Sequence, residues 1–272
     1  MTGHDSTSNT GETRSTAPVL LDIRDGVATI TLNRPEASNA LDLATAHALH
    51  DAVREADANG SVAAVLVLGE GRRFCAGGDV ASMVRGDDRA THLDELATAA
   101  DAALVALAAI DKPVVAGVQG AVAGAGLAVM LSCDLVVAEA DTKFLAAYAG
   151  VGLTPDCGLS WLLPRAVGQQ RALELLLTPR TLAADEALAW GLVTEVITAD
   201  ETDSPTVTAA GRARALARAL ADGPAHAHGQ ARRLVRNAWA VDRTTAGRDE
   251  ATTIARAVTQ PAAAQLLQRF AR

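Results

Sequence analysis

The sequence predicts an α/β protein, with a layered strand–helix core followed by a helical C-terminal part. Three observations point there. Short apolar runs at 19–24, 27–32, 63–68, 113–118 and 135–138 alternate with segments of helical spacing up to about residue 150. From residue 157 onward the apolar residues are mostly at helical spacing. Hydrophobic residues make up 49% of the chain but aromatic ones only 3%, so Ala, Leu and Val must do the packing, which suits helices with small contact faces. A chain of 272 residues can bury one large core, or one core plus a small appendage.

Taken in order, residues 1–17 are rich in Ser, Thr, Gly and charge, cannot bury apolar area, and are expected to be a disordered tail. Val19–Arg24 and Val27–Leu32 alternate and flank Asp25-Gly26, a hairpin signal, and Pro35 ends the second strand. A helix is expected over 41–58, where Ala46, Leu49, Val53 and Ala56 repeat at helical spacing. A buried strand follows at 63–68. A second helix carries Leu93, Leu96, Ala100, Leu104 and Leu107 on one face. Strand 113–118 leads into the glycine-containing segment 120–126, then a helix over 127–132 and a strand over 135–138. Gly191 stands where a C-cap glycine would end a helix over 185–190. The expected division is tail 1–17, core 18–200 and C-terminal helical region 201–272.

Composition narrows the function classes. A net charge of −8 argues against nonspecific binding to nucleic acid or to an anionic membrane, while leaving room for a small phosphorylated ligand. No apolar run reaches the ~20 residues that span a bilayer, and the N-terminus lacks the pattern of a secretory signal. Cys75, Cys133 and Cys157 are odd in number and widely spaced, which is neither a disulfide framework nor a zinc pattern. A cytoplasmic location is the expectation. His47 and His50 sit one helical turn apart without completing a metal set, so no metal is expected.

Two segments share a design: Arg73-Phe74-Cys75-Ala76-Gly77-Gly78-Asp79-Val80, and Gly120-Ala121-Val122-Ala123-Gly124-Ala125-Gly126, which opens a helix. Small residues allow another group to approach the backbone closely, and unpaired N–H groups at a helix start favour negative charge. Two such donors aimed at one point make an oxyanion hole. The plainer reading is tight turns and close packing. A third segment, Gly152-Leu153-Thr154-Pro155-Asp156-Cys157-Gly158, offers Asp156 either as an N-cap of the following helix or as a general base on the rim of an apolar pocket.

In order and spacing these segments resemble the crotonase (enoyl-CoA hydratase/isomerase) superfamily from about Val19 to Phe270. The resemblance rests on Thr31-Leu32-Asn33-Arg34-Pro35, Asn39-Ala40-Leu41, Phe74 to Val80, Lys112-Pro113-Val114-Val115-Ala116 through Gly126, Cys133-Asp134-Leu135, Ala184-Asp185-Glu186-Ala187 and Gly191-Leu192-Val193. It implies a ClpP/crotonase-like spiral of ββα units, then helices used for trimer contacts, giving a homotrimer or a hexamer built as a dimer of trimers. It implies an acyl-CoA thioester as ligand, with coenzyme A as part of the substrate and no separate cofactor. By the same resemblance the thioester oxygen sits between the N–H groups of Ala76 and Ala125. Ala76, Gly78, Asp79 and Val80 line the adenine and pantetheine side, with Gly124 beside them. The region of Arg34, Ala37 and Ser38 lies near the nucleotide, and Tyr148 lies at the acyl group.

The departures bear on the reaction. Hydratases of the superfamily use two glutamates, and counting from Gly126 and from Phe144 puts Ala128 and Tyr148 at those positions. Neither residue is a carboxylate base. Gly152 to Gly158 with Trp161-Leu162-Leu163-Pro164-Arg165 resembles the epoxyphenylacetyl-CoA isomerase branch, which implies Asp156 as a base that shuttles one proton. Leu159 departs from the small residue usual there, and 260–272 lacks the frequent basic and aromatic ending. The expected reaction is therefore isomerisation of an unsaturated acyl-CoA. Hydration by a non-standard base and acyl-CoA binding without turnover are the alternatives.

Overall fold

The chain opens on a hairpin, β1 (Val19–Arg24) and β2 (Val27–Leu32), paired antiparallel. Asp25 and Gly26 both have positive φ, 53° and 77°, the left-handed pair that matches the twist of a two-residue hairpin loop. The computed structural model describes residues 15–84, 87–198 and 208–271. Most of the expected tail, 1–14, and the expected boundary at 200 lie outside the described residues. Residues 15–17 are tied to the strand instead: Asn33 Nδ2 donates to the Ser15 and Ala17 carbonyls at 3.1 and 2.9 Å.

The elements then run α1 (Leu43–Ala58), β3 (Ala64–Gly69), α2 (Val80–Met83), α3 (Arg89–Ala109), β4 (Val114–Val118), β5 (Ala121–Ala123), α4 (Ala125–Leu131), β6 (Leu135–Glu139) and β7 (Lys143–Leu145). They continue with α5 (Leu159–Val167), α6 (Gln169–Leu177), β8 (Leu182–Ala183), α7 (Ala184–Trp190), β9 (Glu195–Ile197), α8 (Ala209–Ala221), α9 (Ala225–Asn237), α10 (Arg243–Ala257) and α11 (Pro261–Phe270). The short strands β5, β7, β8 and β9 add to the strands expected from sequence.

Two sheets result, ordered β1-β2-β3-β4-β6-β9 and β5-β7-β8. Isolated bridges extend the smaller one, Leu41 to Gly78 and Cys75 to Val122. After β3 the chain passes to 75–78 in the second layer, after β4 to β5, and after β6 to β7. Each turn thus lays one strand in each sheet, which is the spiral expected.

Beyond the antiparallel β1–β2 edge, every pair in the large sheet is parallel, and the sheet is covered on both faces. In β3, Val65 and Val67 enter the main core, while Leu66 and Leu68 pack on the other face beneath Ala209, Ala213 and Ala217 of α8. Two glycines set how closely the layers meet. A methyl on Gly126 would lie 2.4 Å from the Cys75 carbonyl oxygen, and one on Gly120 would lie 2.1 Å from that of Arg72. The two small-residue segments are therefore packed backbone against backbone, which brings them to one place.

Candidate active site

Between the second layer and α3 lies a cavity of about 380 Å³. Its floor is Ala76, Gly77 and Gly78 beside Gly124 and Ala125. Its walls are α3 (Ala90, Leu93, Asp94, Ala97) and the segment 146–156, with Val80 and Met83 of α2 at one side. Of the expected site residues, Ala76, Gly78, Val80, Gly124, Ala125, Tyr148 and Asp156 are brought together here.

The backbone donors differ from expectation at one position. The Ala76 N–H already donates to the Ser38 carbonyl at 3.0 Å, so it is not open to a ligand. Gly78 offers the donor instead. The Gly77 carbonyl accepts from Leu41 N at 2.8 Å, and in a trans peptide the following N–H points the opposite way. The Gly78 N–H is thus aimed away from Leu41, and among the described residues it has no partner. The same argument holds at Ala125. The Gly124 carbonyl accepts from Leu127 N at 3.0 Å inside α4, so the Ala125 N–H faces out of the helix start, also without a partner among the described residues. Gly124 takes φ 50°, ψ −122°, and a methyl there would sit 3.6 Å from Gly77 Cα. The two peptides that carry the free donors are neighbours.

Asp156 does not cap the next helix through its side chain. The N-cap of α5 is Gly158, and only the Asp156 backbone carbonyl enters the turn, accepting from Leu159 N at 2.9 Å. Its carboxylate faces the cavity, where Oδ1 accepts the Tyr148 hydroxyl at 2.6 Å. Tyr148 is buried. Burial, and then the neighbouring Asp156 charge, push its phenol well above the usual range, so it stays protonated and remains a donor. The Cys157 thiol, kept protonated by burial and by the Asp156 charge, is the other side-chain hydrogen-bond partner of this carboxylate. Left-handed non-glycine residues gather around this site, at Ser38 (φ 56°), Asn39 (54°), Ala147 (63°) and Cys157 (51°). Asn39 is fully buried and locks its loop: Oδ1 accepts from Arg34 N, and Nδ2 donates to the Glu70 and Arg73 carbonyls.

Arg34, Ala37, Ser38 and Asp79 are not part of the cavity lining. The Arg34 guanidinium is already engaged by Asp79 (3.0 Å), Asp42 (3.1 Å) and the Ala40 carbonyl (2.7 Å), which makes it a clamp between the β2 exit and α2. Asp79 also caps α2, accepting from Ser82 N at 3.2 Å. Ser38 accepts from Arg73 at its hydroxyl and from Ala76 at its carbonyl. Asp94 is the cavity residue that sequence reasoning passed over. Its signal was the spacing Ala90, Leu93, Asp94, Ala97, a second face of α3 beside the core face of Leu96, Ala100, Leu104 and Leu107.

Ala128 is fully buried on α4 and outside the lining, so a pair of carboxylates at Ala128 and Tyr148 is absent. Among the described residues no three His, Cys, Asp or Glu side chains gather as a metal set, and no helix is long and apolar enough to cross a membrane. Burial pushes the Cys75 thiol up to about 12, which leaves it without thiolate character at neutral pH.

The family model for enoyl-CoA hydratase/isomerase matches residues 22–269. The chain belongs to the enoyl-CoA hydratase/isomerase family, within the crotonase superfamily. Over 230 residues it is 34% identical to the 1,2-epoxyphenylacetyl-CoA isomerase of Escherichia coli (strain K12), covering 81% of this chain and 82% of that one. Over 215 residues it is 37% identical to the 4-chlorobenzoyl coenzyme A dehalogenase-2 of an Arthrobacter species, covering 78% and 74%. The crystal structure of an enoyl-CoA hydratase from Mycobacterium smegmatis superposes with a TM-score of 0.84 at 30% identity, covering 93% of this chain and 95% of the other. The spiral is therefore that of the family, and an enzyme of this hydratase/isomerase class is the outcome.

Proposed function

We propose that this chain is an acyl-CoA isomerase that shifts a double bond of an enoyl-CoA, with Asp156 as the proton shuttle. The thioester oxygen lies between the N–H groups of Gly78 and Ala125. As a proton leaves the carbon beside the carbonyl, charge moves onto that oxygen, and fixed backbone dipoles stabilise it without reorganising. The proton rests on Asp156 and returns two carbons along, so the carboxylate and the neutral acyl group are both restored. The pantetheine arm leaves past Val80 at the side of the cavity. Coenzyme A enters as part of the substrate, and no other cofactor is needed for this proton transfer. Exposed apolar residues on the C-terminal helices, Val235, Ile254 and Leu267 among them, support a trimer built through that region.

The observation that carries this reading is the pair Tyr148–Asp156. The phenol holds the carboxylate at 2.6 Å on the wall of a largely apolar cavity, while the positions of a two-glutamate hydratase hold Ala128 and Tyr148. The similarity to the epoxyphenylacetyl-CoA isomerase is in keeping with it. The test is a product assay on 3-enoyl-CoA and 2-enoyl-CoA thioesters, with the native protein and Asp156→Asn. Positional isomers should form with the native protein and fall by about 10³-fold or more in the variant, with acyl-CoA binding kept. Hydroxyacyl-CoA as the main product would instead make this chain a hydratase. Binding by both proteins with turnover by neither would make it a non-catalytic acyl-CoA binder.

A further inference from the structure

The cavity holds a second carboxylate, and it is placed unlike the first. Asp94 sits on α3 among Ala90, Leu93 and Ala97, facing the same space as Asp156. Among the described residues its side chain has neither hydrogen bond nor ion pair, and it is exposed to solvent at the cavity wall. The described lining contains no Lys, Arg or His at all. An acyl group entering beyond the Gly78 and Ala125 donors therefore meets, among the described residues, an apolar wall carrying two carboxylates and no cation.

We infer that Asp94 is a specificity-determining residue, which makes the cavity selective for uncharged acyl groups and disfavours acyl chains that end in a carboxylate. A neutral chain loses nothing beside Asp94, because that side chain keeps its water. A carboxylate drawn into the same apolar space loses part of its own hydration and faces a like charge, both of which oppose its ionised form. Asp156 contributes to the same field, but its charge is shared with the Tyr148 hydroxyl and belongs to the proton transfer. Among the described residues Asp94 has no such partner, and it has no part in that transfer, so its consequence is on which acyl groups enter. The inference rests on the reading of this cavity as the acyl-thioester site, but not on isomerisation.

The test uses saturated thioesters, which carry no double bond to move: acyl-CoAs of four, six and eight carbons, each paired with the analogue carrying a terminal carboxylate. Binding is measured by calorimetric titration to the native protein and to Asp94→Asn. The native protein should bind the neutral member more tightly at one chain length or more. In Asp94→Asn that gap should narrow by about tenfold, with affinity for the neutral member changed less than twofold, and raised salt should narrow the native gap in the same direction. The assignment is overturned if the native protein binds both members equally at every length, or if the gap is the same in Asp94→Asn. Binding of neither member would overturn both this inference and the acyl-thioester reading. Discrimination removed in Asp94→Asn, in a protein that shifts no double bond, would keep the inference and overturn the isomerase.

Discussion

Asp134 and Asp156 are both half-buried aspartates at the edge of one core, and the fold treats them in opposite ways. Asp134 is saturated. Oδ2 accepts from Val114 N (2.8 Å) and Arg232 Nε (2.6 Å), and Oδ1 accepts from Arg236 Nε (3.0 Å) and Nη2 (2.7 Å). The arginines are held in turn: Arg232 reaches the Leu107, Ala108 and Ile110 carbonyls, and Arg236 reaches those of Ser132 and Cys133. This cluster ties α9 to the end of α3 and the start of β4 and β6. Asp156 has only neutral side-chain partners among the described residues, the Tyr148 hydroxyl at 2.6 Å and the Cys157 thiol, and no arginine. A carboxylate with every lone pair engaged has no room for a proton and can only hold structure. One held by neutral donors at the wall of a largely apolar cavity is fixed in place yet still able to accept one.

Substitutions can break this contrast, beginning with the largest effect. Arg232 is 5% exposed in its side chain, so Arg232→Met leaves Asp134 under-compensated and three carbonyls without their donor. It should cost about 3–5 kcal/mol in urea denaturation, while activity per folded molecule changes little. Equal loss of activity and stability would dissolve the distinction. Tyr148→Phe removes one hydrogen bond to a charged group. It should lower kcat by about ten- to thirtyfold with KM little changed, and leave the urea midpoint close to native. A change in KM alone would show Tyr148 to be a substrate contact and not a positioning residue.

The smallest effect is expected at Asp42, another structural carboxylate. It caps α1, accepting from Thr45 N at 2.8 Å and Thr45 Oγ1 at 2.6 Å, and it meets Arg34. Burial raises its pKa, but the Thr45 hydrogen bonds and the Arg34 charge outweigh that, so the net direction is down. A depressed folded value means stability that is present above the unfolded carboxylate range and is lost as pH falls through the folded value. Asp42→Ala should therefore cost about 1 kcal/mol at neutral pH, and the difference from native should shrink on acidification. A difference that is constant with pH would mean that the cost comes from packing.

The hairpin and the core helices were legible in the sequence because their signals are local. Asp25-Gly26 states its own turn, and Leu96 to Leu107 states its own face. The strands β5, β7, β8 and β9 were not, since two or three residues carry too little periodicity to separate strand from loop. At the site, the order of segments was enough to bring Gly78, Ala125, Tyr148 and Asp156 together. Which N–H is free was not readable, because it depends on the Leu41–Gly78 bridge between segments 37 positions apart. Similarly, the side chain of Asp156 was open to a capping reading until its partner was known, and Tyr148 lies eight positions away across an irregular loop. Asp94 was hidden because one helix serves both the core and the cavity. The resemblance puts Arg34 near the nucleotide, but its ion pairs with Asp42 and Asp79 come from segments 8 and 45 positions away and were not readable.

The central claim is that the Asp156 carboxylate moves the proton beside the thioester carbonyl. It is tested most directly by following deuterium uptake from heavy water at that carbon of a bound 3-enoyl-CoA, in the native protein and in Asp156→Asn. The account predicts rapid uptake in the native protein and a loss of about 10³-fold or more in the variant, with thioester binding intact. Uptake at the native rate in Asp156→Asn would contradict it and place the base elsewhere in the cavity.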